Sequence, residues 1–203
     1  MSLARVGELA EITQGLNTSG RGAGKRRGDW RLGLISGRDI EDDRIRLDDI
    51  EVINVEQNLR TEKHLLHPND VLVTAKSTKV KVALVPSSVS RTVANSTLLV
   101  VRPSEPDLGP YLWWFLTSKY GRSRAEAVMV PSVTLSSLPV GALAELEVPV
   151  PPPRQLFLMA RLVEASERTY SAALEAAAIR RESVRDHIIA HLLAEESHNG
   201  GLQ

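Results

Sequence analysis

The pattern of apolar and polar residues changes near residue 150, and this change predicts two structural regions. Before it, short apolar or alternating runs are separated by glycine, proline, asparagine and aspartate, as at 70–75, 80–85 and 97–101. Runs of this length are typical of β-strands, and the residues between them favour turns. Residues 108–119 instead predict a short helix, whose bulky face from Tyr111 to Leu116 we expect to pack in the core.

After residue 150 the sequence predicts one long helix. The prolines at 151–153 cannot continue a strand, so we expect a stiff boundary there. Residues 154–196 contain no proline or glycine and are rich in good helix formers, which predicts a helix about 65 Å long. Apolar residues recur at seven-residue steps, as in a coiled coil, so this helix needs another long helix to cover its stripe. The residues predicted for this dimerisation contact are Leu156, Val163, Tyr170, Leu174, Val184 and Ile188.

Together these patterns predict the α+β class. We expect a β-rich domain with a few short helices at 1–150 and the long coiled-coil-forming helix at 151–197. Residues 198–203 are expected to form a disordered tail.

Composition narrows the function classes. The 203 residues include no cysteine, which excludes disulfides, thiolate zinc sites and cysteine nucleophiles. The chain lacks both the apolar run of a signal peptide and the ~20-residue apolar stretch of a membrane span, so we expect a cytoplasmic protein.

The sequence carries no recognisable catalytic motif. The glycine-rich phosphate loop, the Gly-x-Gly-x-x-Gly fingerprint and the Gly-x-Ser-x-Gly elbow are all missing. His187 and His191 have the spacing of helical zinc ligands, but no acidic residue completes the pattern. We therefore expect no catalytic residue, no metal ion and no cofactor. An enzyme of an unrecognised type remains an alternative, and it would need a pocket with paired acids or a metal.

Three basic clusters lie in the first 150 residues, although 25 lysines and arginines balance 25 acids overall. Many of the acids concentrate between Asp39 and Glu51, so one face can still be strongly positive. The clusters fall among serine, threonine and glycine, in the kind of loop that contacts phosphates and base edges. Charged surface loops also occur without any ligand. The candidate DNA-binding residues are Arg21, Lys25, Arg26, Arg27, Arg31, Lys76, Ser77, Lys79, Lys81, Arg122 and Arg124.

Several segments, in order, resemble the specificity subunit of type I restriction-modification systems. Residues 6–15 look like the opening strand and turn of its target recognition domain, and 34–40 look like its second signature. Residues 66–74 are similar to its leucine-x-proline-x-aspartate-valine-leucine strand. Residues 146–155 look like the hinge into its conserved long helix. A complete subunit has two recognition domains and two such helices, whereas this chain has one of each.

The resemblance implies a non-catalytic role in double-stranded DNA recognition. The domain would read one half of a split target, and the long helix would fix the distance to the other half. A separate adenine methyltransferase subunit would hold S-adenosylmethionine, and a motor-nuclease subunit can join. We expect the missing half to come from a second copy, in a homodimer formed through the helix. The alternative is an adaptor whose helix docks on a methyltransferase or defence protein, with little DNA affinity of its own.

Overall fold

The computed structural model describes residues 2–18, 28 and 30–199, with side chains described as far as residue 193. The chain divides into two compact units, Met1–Ala160 and Arg161–Gln203. The first unit contains several small sheets and short helices, and the second is helical. The predicted α+β class is therefore confirmed.

The elements of the described residues are short before residue 150. The strands are β1 (Ser2–Arg5), β2 (Ala10–Gln14), β3 (Trp30–Ile35), β4 (Ile40–Glu41), β5 (Arg44–Ile45), β6 (Glu51–Val55), β7 (Val71–Thr74), β8 (Lys76–Ser77), β9 (Val82–Leu84), β10 (Thr92–Ala94), β11 (Leu98–Pro103), β12 (Ser136–Ser137) and β13 (Glu147–Val150). The helices are α1 (Val6–Leu9), α2 (Leu59–Glu62), α3 (Leu108–Thr117), α4 (Lys119–Ala127), α5 (Val140–Ala144) and α6 (Pro153–Asn199).

A four-stranded antiparallel sheet in the order β2-β11-β7-β9 forms the centre of the first unit. All four residues of β7 are buried, which explains its nearly continuous apolar sequence. A three-stranded sheet in the order β10-β3-β6 contributes a second apolar cluster around Leu32 and Val93. Helix α3 buries Tyr111, Leu112, Trp113, Phe115 and Leu116 in the core as predicted, whereas Trp114 of the same segment is 44% exposed.

One local prediction needs correction. Residues 6–9 form α1 rather than part of an opening strand, because the Glu8 carboxylate accepts a hydrogen bond from the Arg5 N–H at 3.1 Å and caps the turn. Strand β13 contains Pro149 and ends at Val150, directly before the prolines at 151–153. Strand β13 pairs with β1 in a two-stranded sheet, where Pro149 is opposite Leu3. A strand with a free edge tolerates a residue that lacks an N–H donor.

The long helix α6 is continuous over 47 residues, which corresponds to about 70 Å. It begins at Pro153, where the missing N–H is not needed, and extends to Asn199, two residues beyond the predicted end. Within the first unit its residues Leu156 and Ala160 are buried. None of the described helices is long and apolar enough to cross a membrane.

Candidate nucleic-acid interface

Loops from distant parts of the sequence meet at one end of the four-stranded sheet. Strands β2 and β7 end there at Gln14 and Thr74, while β11 and β9 begin there at Leu98 and Val82. This follows from the register, because neighbouring strands run antiparallel and Thr74 is opposite Leu98. We call this end the loop edge, and it comprises residues 15–18, 75–81 and 95–97.

Backbone hydrogen bonds fix the loop edge. The N–H of Leu16 donates to the Ala94 carbonyl at 2.7 Å, and the N–H of Ala75 donates to the Thr97 carbonyl at 2.7 Å. Gly15 permits the first of these approaches, because a Cβ atom there would lie 2.1 Å from the Asn95 carbonyl oxygen. The loops of 15–18, 75–81 and 95–97 are therefore positioned by one another as well as by the sheet.

The first predicted cluster lies mostly outside the described residues. This applies to Arg21, Lys25, Arg26 and Arg27. The described chain reaches this segment from the loop edge, where Leu16 pairs with Asn95. Arg31 is exposed on β3, but it lies four residues before Ile35, whose carbonyl accepts the Asn95 N–H. Strand β3 therefore carries Arg31 away from the loop edge.

The second cluster lies on the loop edge itself. Lys76 and Lys79 are exposed and form no ion pair with any described residue. The Ser77 hydroxyl bonds to the Lys79 carbonyl at 2.5 Å and to the Thr74 hydroxyl at 3.0 Å, so Ser77 orders the turn between them. The two ammonium groups are thus displayed on a fixed turn, which is an arrangement suited to phosphate contacts.

Three of the predicted cations are engaged within the fold. The Lys81 ammonium donates to the carbonyls of Gly37 and Ile40, at 3.2 and 2.8 Å. The Arg122 guanidinium donates to the Asp43 carboxylate at 2.6 Å. Arg124 donates to the Tyr120 hydroxyl at 3.2 Å and lies 3.9 Å from the Glu147 carboxylate. Charge counting in the sequence did not separate these structural cations from exposed ones, because their partners are distant along the chain.

Arg122 supports a turn with unusual backbone angles. Asp42 and Asp43 connect β4 to β5 with φ values of 47° and 61°, in the left-handed region that non-glycine residues seldom adopt. The Trp113 Nε1–H donates to the Asp43 carbonyl at 3.1 Å, and Arg122 binds its side chain. These two contacts hold the hairpin against α3 and α4.

Replacing Arg122 by alanine should lower the free energy of unfolding by about 1–2 kcal/mol. A hydrogen bond between charged groups contributes roughly 1.5–3 kcal/mol, reduced here because both side chains are about one-third exposed. The matched control is Arg46→Ala, which breaks a well-exposed pair with Glu41 at 3.2 Å and should cost less than about 0.5 kcal/mol. Urea denaturation of both variants checks this, and equal losses would contradict the role assigned to Arg122.

The opposite end of the four-stranded sheet is held by an ion pair between the buried Asp70 and the partly exposed Arg102. The Arg102 guanidinium makes two hydrogen bonds to the Asp70 carboxylate, at 3.0 and 2.8 Å, and donates to the Leu65 carbonyl at 2.7 Å. The hydrogen bond to Asp70 raises the pKa of Arg102 above its usual value. Asp70 also accepts from the His67 N–H at 2.8 Å, so this carboxylate fixes the turn before β7. The aspartate of the 66–74 motif therefore has a structural role.

A cavity lies beside this ion pair, and His64 is one of the residues that line it. Burial lowers the pKa of His64, with a smaller contribution from the positive charge of Arg60. Among the described residues no group of three or more histidine, aspartate or glutamate side chains is arranged to hold a metal ion. The cavity is lined by Glu11, Thr13, Lys63, His64 and Arg102.

A hairpin beside the second cluster was not singled out by sequence analysis. Strand β12 pairs with β8, so that Ser137 is opposite Lys76, and Val130 and Ser137 exchange backbone hydrogen bonds of 2.7 and 2.9 Å. We call residues 130–137 the apolar hairpin. A signal was present in the sequence, because residues 127–144 hold no charged side chain in a chain that is 25% charged.

Comparison with known proteins finds similarity in structure only. No protein-family model and no curated protein matches the sequence. The HsdS subunit from Thermoanaerobacter tengcongensis matches at 15% identity with a TM-score of 0.53, over 86% of this chain and 39% of that one. The type I restriction-modification S subunit from M. genitalium matches at 14% identity and a TM-score of 0.53, over 85% of this chain and 40% of that one.

A more distant class of protein has a similar fold. The type IIG restriction endonuclease BpuSI matches at 11% identity with a TM-score of 0.54, over 80% of this chain and 26% of that one. This chain therefore spans about two-fifths of the length of the S subunits and about a quarter of the endonuclease. At such identities the similarity establishes the fold. The described chain has the fold found in type I restriction-modification specificity subunits.

Proposed function

We propose that this protein is a sequence-specific DNA-binding specificity subunit of a type I restriction-modification complex, reading one half of a bipartite target. The observation that carries the proposal is the loop edge, which displays Lys76 and Lys79 on a fold shared with S subunits. Four further cations, Arg21, Lys25, Arg26 and Arg27, follow residue 18 of the loop edge in the sequence. Electrostatic attraction to phosphates would position the domain on the duplex, and other side chains would read bases.

The proposed subunit binds DNA and leaves chemistry to its partners. The phosphate and cofactor loops of the usual enzyme classes do not occur in the sequence. An adenine methyltransferase subunit would supply S-adenosylmethionine and the reacting groups, and a motor-nuclease subunit can join the same assembly. The chain's own contribution is then to hold the duplex in register for that methyltransferase.

Methyl transfer should therefore require a second protein. The purified chain with S-adenosylmethionine and duplex DNA should transfer no methyl groups above background. Adding the adenine methyltransferase subunit of the proposed complex should give incorporation into adenine, measured with a labelled methyl donor. Methylation by the isolated chain, with contaminating activity removed, would overturn the non-catalytic role.

Helix α6 offers one apolar stripe for a second copy of the chain. Of the residues predicted for dimerisation, Leu156 and Val163 are buried in the single chain, with 6% and 8% exposure. The accessible part of the predicted stripe comprises Tyr170, Leu174, Val184 and Ile188, each about half exposed. We call these four residues the first stripe and infer that they pack against the same residues of a second copy, as in a two-fold dimer.

A second stripe lies on the other side of the same helix. Its residues lie two positions after those of the seven-residue apolar pattern. Because two residues turn the helix by about 200°, they lie on nearly the opposite face. Leu162, Ile179 and Leu193 are 71%, 64% and 58% exposed. We infer that this face contacts the methyltransferase subunit, because a dimer through the first stripe leaves it uncovered. The second stripe comprises Leu162, Ala165, Ala172, Ala176, Ile179 and Leu193.

The two stripes also favour one alternative function. A helix with apolar residues on two faces is suited to a protein adaptor, which needs no DNA affinity. Titration with a non-specific duplex separates the two functions. The specificity subunit should bind with an affinity that falls steeply with salt, and the adaptor should bind weakly at every salt concentration.

A further inference from the structure

We propose that the apolar hairpin, residues 130–137, reads DNA bases, and that its exposed aliphatic side chains contact the methyl groups of thymine in the major groove. This inference rests on the proposed DNA-binding function and adds a specificity element to it. The hairpin is distinct from the basic residues, which would contact phosphates.

The base of the hairpin is rigidly attached at the loop edge. Strand β12 pairs with β8, and the Leu138 N–H donates to the Ala75 carbonyl at 2.8 Å. Leu138 is buried, with 2% exposure, and anchors the end of the hairpin in the core. The position of the hairpin relative to Lys76 is therefore fixed before any ligand binds.

The tip of the hairpin is exposed and carries three aliphatic side chains among Ser132 and Thr134. Val133 is fully exposed, while Val130 and Leu135 are 53% and 45% exposed. The Ser132 hydroxyl donates to the Leu135 carbonyl at 2.6 Å, which restrains the tip. These three aliphatic side chains remain exposed on an ordered, projecting turn. The arrangement therefore points to a ligand that covers them.

Duplex DNA is the occupant that best fits the surroundings. Lys76, opposite Ser137 in the β8–β12 pair, and Lys79 in the following turn would bring a polyanion to this edge. The hairpin itself has no charge for a phosphate and no arginine, asparagine or glutamine for paired hydrogen bonds to a base. An aliphatic group can still distinguish thymine by its C5-methyl group. The chemistry of the tip therefore favours contact with thymine.

The test compares the full-length chain with the double variant Val133→Ser and Leu135→Ser, using duplexes randomised over about three helical turns. Wild type should select a motif that contains thymine, and the variant should lose the preference at those positions. The salt dependence of binding to non-specific duplex should be the same for both proteins. Val52→Ser with Leu59→Ser is the matched control, because these side chains are exposed but lie away from the hairpin.

Replacing selected thymines by uracil then isolates the methyl group. Wild-type affinity should fall about fourfold for each contacted methyl group, and the hairpin variant should be insensitive to the replacement. An unchanged motif in the variant, or a wild type indifferent to uracil at every position, would overturn the inference while leaving DNA binding intact. A wild-type chain that shows no salt-dependent DNA binding would overturn the proposed function together with the inference.

Discussion

Replacing Lys76 and Lys79 by alanine should weaken binding to every DNA duplex about 30-fold at 0.15 M salt. Each phosphate contact contributes about 0.9 to the slope of log affinity against log salt, so losing two contacts removes about 1.8 from the slope. Extrapolated from 1 M salt, that change corresponds to roughly 1.5 decades of affinity at 0.15 M. Both side chains are exposed on the loop edge, so the fold should be unaffected. Fluorescence anisotropy over a range of salt concentrations measures both quantities.

The pair Arg26→Ala and Arg27→Ala should give a similar loss, because these arginines belong to the most basic segment of the sequence, with five cations and one acid between residues 21 and 31. The matched control is Arg60→Ala with Lys63→Ala. Lys63 lines the cavity that also contains Glu11 and Arg102, at the opposite end of the sheet. The control pair should change neither the affinity for DNA nor the slope of log affinity against log salt by more than a small fraction. Equal losses from all three pairs would show that binding follows total charge, without a preferred surface.

The buried strands were predictable because their signal is local. Strand β7 is a continuous apolar run, and each of its residues is buried. The helical stretch after Pro153 was equally clear, since it lacks residues that interrupt a helix. In both cases the hydrophobic pattern and the backbone preference agree, so tertiary contacts reinforce what the sequence already favours.

Other features depend on partners far along the chain. Pro149 lies in a strand because it pairs with β1, which is formed by residues near the beginning of the chain. Arg122 and Asp43 are 79 residues apart, and Lys81 reaches Gly37 over 44 residues. No local pattern reveals such pairs, so the sequence alone could not show that Lys81 and Arg122 have partners within the fold. The sequence could predict that Lys76 and Lys79 are exposed charges. It could not predict that they share an edge with residues 15–18, because that follows from the strand register.

Substituting aspartate for Leu174 and Val184 should convert the protein to a monomer that keeps its helix. Both side chains are about half exposed, so the single chain should tolerate the change. In a two-fold dimer each substitution occurs twice, and each buries a carboxylate where an aliphatic group packed. A loss of at least about 4 kcal/mol is expected, which raises the dissociation constant by about a thousandfold. Light scattering at micromolar concentration measures the change, and circular dichroism verifies the helix.

The control pair Ala172→Asp and Ile179→Asp lies on the second stripe and should have the opposite effects. This variant should remain dimeric but fail to capture the methyltransferase subunit in a pull-down, whereas the first-stripe variant should still capture it. Loss of both properties in both variants would mean that the two stripes serve one interface.

The dimer also determines how the target is read. Two identical recognition domains joined through their helices require an interrupted palindrome, with half-sites separated by about one helical turn. The first-stripe variant should therefore bind such a palindrome no more tightly than a single half-site, because the second domain no longer adds to the affinity. The second-stripe variant should retain the full preference for the palindrome. A wild-type chain that is monomeric in light scattering would refute the homodimer, and a different half-subunit would then have to supply the other recognition domain.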